Sequence, residues 1–246
     1  MRAELVAVLA SQFSRRGGLR EPDVISSPSS AAHRFRSRRL WASVGTASFL
    51  SFIALSIAIV TGAVYPFDDF ASRVVIDAVS PRFLDDLRIL NQIGHRLTLV
   101  AAAVIALALY RVVEGRILAA VAFLVGAPIV GSGIALLISR PRPEGEGLSF
   151  PSGHVFGSLV VYGLIAVVVS QQLRLPYWRR IVLCVTVALV LSVGIARVGL
   201  RAHWPSDVVG AALLGCAYLS LGVRTLRAQA SASSTESQEP RITENC

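Results

Sequence analysis

Apolar residues in this chain come in long unbroken runs separated by short polar breaks. The runs cover 42–65, 97–113, 117–138, 155–171, 181–196 and 206–223. Crossing a bilayer as a helix takes about 20 such residues, with roughly 17–25 usual. Six runs meet that length or nearly so, and the pattern predicts six transmembrane helices. The fifth is short alone and is extended to residue 200, which draws Arg197 into the span. Arg111 lies near enough to the end of the second to snorkel to the headgroups. The segment 66–96 reads differently. Val74, Val75, Val79, Phe83, Leu84, Leu87 and Leu90 recur at helical spacing and Pro81 interrupts them. That predicts two short amphipathic helices along the outer membrane surface, as a structural cover or as part of a lipid access rim. In the third run Pro128, with Gly126, Gly131 and Gly133, loosens the helix and favours close contact with neighbours. The predicted fold class is therefore all-α: a polytopic membrane protein with six transmembrane helices and short interfacial helices. The membrane domain is placed at 41–225, between an Arg-rich tail at 1–40 and a disordered tail at 226–246. Within the first tail, 3–13 has the pattern of a short surface helix.

Composition agrees with a membrane class, since 54% of residues are hydrophobic and only 16% charged. Charge adds orientation. The net charge is +9, and every basic residue is Arg. A basic chain raises the question of nucleic acid, but the placement of the charge argues against it. Eight Arg lie within residues 1–40, and further Arg recur in 111–116, 172–180 and 224–246. Residues 66–96 instead carry four Arg against five Asp. The positive-inside rule then puts both termini in the cytoplasm and the 66–96 segment on the opposite face. Trp41, Tyr65, Tyr177, Trp178 and Trp204 fall near run ends, where interfacial aromatics belong. The apolar stretch 5–10 is too short for a secretory signal, so a retained cytoplasmic tail is expected. Cys184 and Cys216 lie within runs and Cys246 is the last residue given, so no disulfide framework is implied.

Three polar clusters interrupt the apolar pattern on the predicted outer face. The first is Arg140-Pro141-Arg142-Pro143, where alternating prolines cannot continue a helix and set two cations on a stiff loop. The second is Pro151-Ser152-Gly153-His154, which opens the fourth run. The first N–H groups of a helix lack internal partners and suit an anion, Gly153 permits close approach, and Ser152 can cap or donate. Read blandly, it is a turn, a cap and an interfacial His. The third cluster is Arg197 with His203 and Asp207. His203 and Asp207 are one helical turn apart, which predicts a carboxylate holding one ring nitrogen protonated and leaving the other free to attack or accept a proton. A helix N-cap Asp beside a structural His is the plain alternative. Arg197 is either a snorkelling Arg or a bidentate phosphate ligand.

In this order, and on one face, the clusters resemble the type 2 phosphatidic acid phosphatase family, which shares its core with bacterial acid phosphatases, glucose-6-phosphatase and vanadium haloperoxidases. The family pattern is Lys-x6-Arg-Pro, then Pro-Ser-Gly-His, then Ser-Arg-x5-His-x3-Asp. Arg142-Pro143 matches the end of the first part, residues 151–154 match the second in full, and Arg197, His203 and Asp207 match the third. The resemblance covers about residues 42–223. It implies hydrolysis of a lipid phosphate or diphosphate in two steps, without metal or cofactor. His203 would attack phosphorus and form a phosphohistidine, Asp207 would orient it, and His154 would protonate the leaving oxygen and then activate water. Arg142, Arg197, Ser152 and the Gly153 N–H would hold the phosphate, with Arg140 as a further candidate. The partner is a membrane lipid substrate, and no nucleic acid is expected. The enzyme would sit in the plasma membrane with its site on the periplasmic or extracellular side.

Two positions depart from the pattern. Ala135 stands where the family has Lys, or Gly133 if the count starts from Arg140, and Ala196 stands where it has Ser. Arg140 or Arg201 is the expected substitute for the missing cation. The alternative function is a lipid-phosphate-binding relative whose catalysis is weakened or lost. A transporter is disfavoured, since no run carries an ionisable residue at its centre. A haloperoxidase rests on kinship of fold alone.

Overall fold

The computed structural model describes residues 28–79, 81–114, 117–173 and 175–236. It is all-helical apart from loops and one isolated bridge between Pro141 and Leu148. The helices are α1 (Pro28–Val60), α2 (Tyr65–Asp77), α3 (Pro81–Ile93), α4 (Arg96–Glu114), α5 (Ile117–Ile138), α6 (Gly153–Gln172), α7 (Pro176–Gly199) and α8 (Pro205–Glu236). Several open on proline, whose missing N–H is no loss in a first turn. Five are long and apolar enough to span a membrane, and α3 with α4, bent by 40° at their junction, make a sixth if counted together. The polytopic all-α fold is the one the apolar runs predict.

Helix ends differ from the sequence reading at both tails. The first helix begins at Pro28, inside the predicted Arg-rich tail, and α8 runs to Glu236, past the predicted boundary at 225. The predicted surface helix at 3–13 lies outside the described residues. Residues 1–38 and 39–246 are separate compact units, and everything below concerns the second.

Helix α6 is the hub, packing against α4, α5, α7 and α8. Half of its spanning window is buried inside the protein, as is slightly more of α8, which marks these two as the inner helices. The predicted amphipathic pair is present as α2 and α3, and both pack on the bundle: α2 against α7 and α8, α3 against α7. At their far end, Gly94 turns the chain from α3 into α4. A Cβ there would lie 2.7 Å from Val193 Cγ1 and 3.2 Å from His154 Cβ, so only glycine lets this corner close against α6. Of the glycines in α5, Gly126 faces Tyr218 and Gly131 faces Phe156, whereas Gly133 faces open space.

The core beneath the polar clusters centres on Phe150. Its ring is fully buried, stacks on Phe52 at 5.6 Å between centroids, and lies against Gly210 of α8. It fastens the loop between α5 and α6 to the bundle. Phe150→Ala is expected to destabilise the fold by about 3–5 kcal/mol, read as a lowered midpoint of thermal unfolding in detergent.

Candidate active site

All three polar clusters converge. Residues 139–152 fold back on themselves: the Ser149 N–H and Oγ–H both donate to the Arg140 carbonyl, at 2.8 and 3.2 Å. This loop is joined to the α7–α8 turn. The Glu144 N–H donates to the Arg201 carbonyl, Trp204 Nε1–H to the Pro141 carbonyl, and the Ser152 N–H to the Asp207 carbonyl. The turn itself is built on Arg197, whose carbonyl accepts from the N–H groups of Ala202 and His203. These bonds place α6, α7 and α8 ends side by side.

His203 is buried. Its Nδ1 lies 2.7 Å from the Ser149 carbonyl oxygen, which can only accept, so the ring proton is fixed there and Nε2 carries the free lone pair. Asp207 Oδ2 stands 3.6 Å from the same Nδ1, a charge neighbour and not the main acceptor. The expectation that Asp207 would hold the ring nitrogen is corrected in part, since the carboxylate acts on the ring but a backbone oxygen lies closer. A helical turn puts the carboxylate alongside, and the hydrogen-bond distance is taken by a backbone oxygen. Burial holds the His203 imidazole below its usual 6.5, with Asp207 and Ser149 pulling the other way and Arg197 adding to the lowering.

Arg140 is the second correction. It does not present a free cation. Its guanidinium is buried, with one nitrogen donating to Asp207 Oδ1 and Ser206 Oγ at 2.7 Å each and the other to Asp68 Oδ2 at 2.5 Å. The prolines set the backbone of the loop as expected, but two carboxylates draw the side chain inward. Arg201, the other expected substitute for the missing Lys, is exposed and paired with Glu144 at 2.7 Å. Arg142 is half-buried, with Nε donating to the Leu148 carbonyl at 3.3 Å.

The remaining candidates are not drawn onto carboxylates as Arg140 is. Arg197 is buried, donates from one terminal nitrogen to Asn91 Oδ1 at 3.1 Å, and has an Nε with no partner. Ser152 Oγ is also buried and unpartnered. Gly153 is exposed at the first turn of α6, and His154 beside it is half-buried. The charge of Arg197 acts on both His154 and His203, and Arg142 is near enough to act on Arg197. The set thus brings two arginines and two imidazoles within electrostatic range of one another.

Four residues were not singled out from the sequence. Asn91 positions Arg197, and Ser149 holds His203. His95 stands edge-on to His154, ring centroids 6.4 Å apart. Asp68 is fully buried and grips Arg140 and Ser206. The available signal for Asp68 was its register. It follows the buried Val64 by four and so shares its helix face, whereas Asp69 beside it is exposed.

This assembly sets a buried imidazole and a half-buried one among arginines at the ends of transmembrane helices. Residues 115–230, just under half of the chain, match the PAP2 superfamily. The chain is 28% identical over 177 residues to phosphatidylglycerophosphatase B of Bacillus subtilis (strain 168), covering 68% of this chain and 87% of that one. Its fold is similar to the crystal structure of the first transmembrane PAP2-type phosphatidylglycerolphosphate phosphatase from Bacillus subtilis. The TM-score is 0.62 at 24% identity, with 80% of this chain and 98% of that chain covered.

Proposed function

We propose that the protein hydrolyses a lipid phosphate or diphosphate through a phosphohistidine on His203, without a metal. The observation that carries this is the pairing of a His203 Nε2 left free by the Ser149 contact with two buried, unpartnered donors, Arg197 Nε and Ser152 Oγ. Buried donors without partners cost stability unless a ligand satisfies them, and a phosphate oxygen suits both. Among the described residues, no three His, Cys, Asp or Glu side chains converge as metal ligands would. The donors present are cationic and N–H groups, which bind the anion directly.

In the first step the Nε2 lone pair forms a bond to phosphorus, the P–O bond to the lipid breaks, and the leaving oxygen takes a proton from His154. In the second, water gives a proton to His154 as its oxygen bonds phosphorus, and the N–P bond breaks to release inorganic phosphate. Arg142, Arg197, Ser152 and the Gly153 N–H hold the equatorial oxygens, where negative charge is concentrated during transfer. Arg140 is not part of that set. The Arg distribution supports a site on the periplasmic or extracellular side. The relative's name makes phosphatidylglycerol phosphate a substrate to try beside undecaprenyl diphosphate and phosphatidic acid. The domain reading is kept as a proposal too, with catalysis confined to 41–225.

The test is phosphate release by detergent-purified protein on those three lipids with EDTA present. Release is expected from at least one, and its complete dependence on added divalent metal would sink the reading. The pH profile gives an independent check. His203 attacks only when neutral, and burial lowers its pKa, so activity is lost as pH falls through a value below 6.5. An acid limb of kcat/KM centred above 6.5 would contradict it.

A further inference from the structure

Asp68, Arg140, Ser206 and Asp207 form a closed, buried network between α2, the α5–α6 loop and the start of α8. The four are exposed by 0%, 5%, 1% and 0% respectively. Asp68 Oδ1 accepts from the Ser206 N–H at 2.8 Å, and Oδ2 accepts from the Ser206 hydroxyl at 2.7 Å and from Arg140. Asp207 Oδ1 accepts from Arg140, and Oδ2 from the Trp204 N–H at 2.8 Å. Every carboxylate oxygen faces a donor, which is the pattern of two ionised acids sharing one guanidinium. The Arg140 plane also lies 5.4 Å from the Trp204 ring and 5.8 Å from the Tyr65 ring, which close it off from two sides.

The charge count matters. Arg140 alone would cancel Asp207, leaving the buried His203 beside a neutral pair. With Asp68 included, the network carries one net negative charge in a place where water cannot screen it. His203 becomes a cation when Nε2 bonds phosphorus while Nδ1 keeps its proton, so that charge favours the transition state over the ground state.

We propose that Asp68 is a positioning residue for phosphoryl transfer: by balancing Arg140 it leaves the charge of Asp207 to act on His203. The inference rests on His203 being the nucleophile. It also explains why Arg140 takes no part in phosphate binding, since its role is to fix Asp207 rigidly while Asp68 removes the electrostatic penalty of doing so. The other charged and titratable groups acting on His203 are Arg197 from α7 and His154 from α6, and neither of them supplies negative charge.

The experiment compares Asp68→Asn, Ser206→Ala and the double variant Asp68→Asn with Arg140→Gln, each as full-length protein in detergent, with His203→Ala alongside. Asp68→Asn removes the balancing charge with little change of shape. Its kcat is expected to fall by about 10–100-fold with KM changed less than about twofold, and its acid limb to move to lower pH. Ser206→Ala removes hydrogen bonds but no charge, so its acid limb stays in place. The double variant removes an opposite pair and should recover about tenfold or more of the kcat lost by Asp68→Asn alone.

Wild-type kcat in Asp68→Asn overturns the inference. So does a loss accompanied by an unmoved acid limb, or the same shift of limb in Ser206→Ala, or further loss in the double variant. If Asp68→Asn does not accumulate as folded protein, the double variant decides, because a displaced acid limb there is incompatible with the charge balance proposed. Phosphate release surviving in His203→Ala overturns the nucleophile itself; release lost there but unaffected by Asp68→Asn removes only the role of Asp68.

Discussion

His203→Ala is expected to lower kcat by about 10,000-fold or more, the scale of losing a covalent nucleophile. The fold should survive the change, because the ring is held by one hydrogen bond to the Ser149 carbonyl and the surrounding ion network does not pass through it. The phosphoenzyme gives the sharper readout. Wild-type protein quenched in alkali during turnover on a radiolabelled lipid phosphate should carry acid-labile phosphate, and the variant should carry none. Substantial turnover in the variant, or label retained by it, would place the nucleophile elsewhere.

His154→Ala should split the two chemical steps. Removing a general acid–base costs about 100–10,000-fold, but the loss depends on the leaving group. A lipid alkoxide needs a proton to depart, so its hydrolysis should fall through the whole of that range. A nitrophenolate departs without one. With nitrophenyl phosphate, the variant is therefore expected to release one equivalent of nitrophenol rapidly and then stall, because water for the second step has lost its base. The burst is seen by stopped-flow absorbance. Equal losses on both substrates with no burst would mean that His154 binds phosphate and transfers no proton. His154 is half-buried and stands beside exposed Gly153.

The parts that could be read in advance were those with a local signal. Runs of apolar residues gave the spans, because a bilayer imposes one length on every crossing helix. That His154, His203, Asp207 and Arg197 come together was legible because helix starts and one-turn spacings are short-range features. Arg140 was misplaced for the opposite reason. Its partners Asp68 and Asp207 are 72 and 67 residues away in sequence, and a charge pair at that separation leaves no periodicity to detect. Ser149 escaped notice because it acts through its carbonyl, which every residue possesses. The continuation of α8 beyond 225 was hidden by composition. Ala228, Gln229 and Ala230 are good helix formers, yet the Ser and Glu after them read as a tail.

The ion network also has a history within each newly made molecule. A ribosome working at roughly 5–20 residues per second delivers Asp68, then Arg140, then Asp207, with intervals of several seconds between them. The first two can neutralise one another as soon as both are inserted, which spares the nascent bundle an unpaired buried charge. His203 and Asp207 arrive with the last span, after His154, and only then does the ion network gain its second carboxylate. On the mechanism proposed above, hydrolytic competence is deferred until insertion is complete, and a chain stalled after α6 would hold the Asp68–Arg140 pair and His154 but not His203.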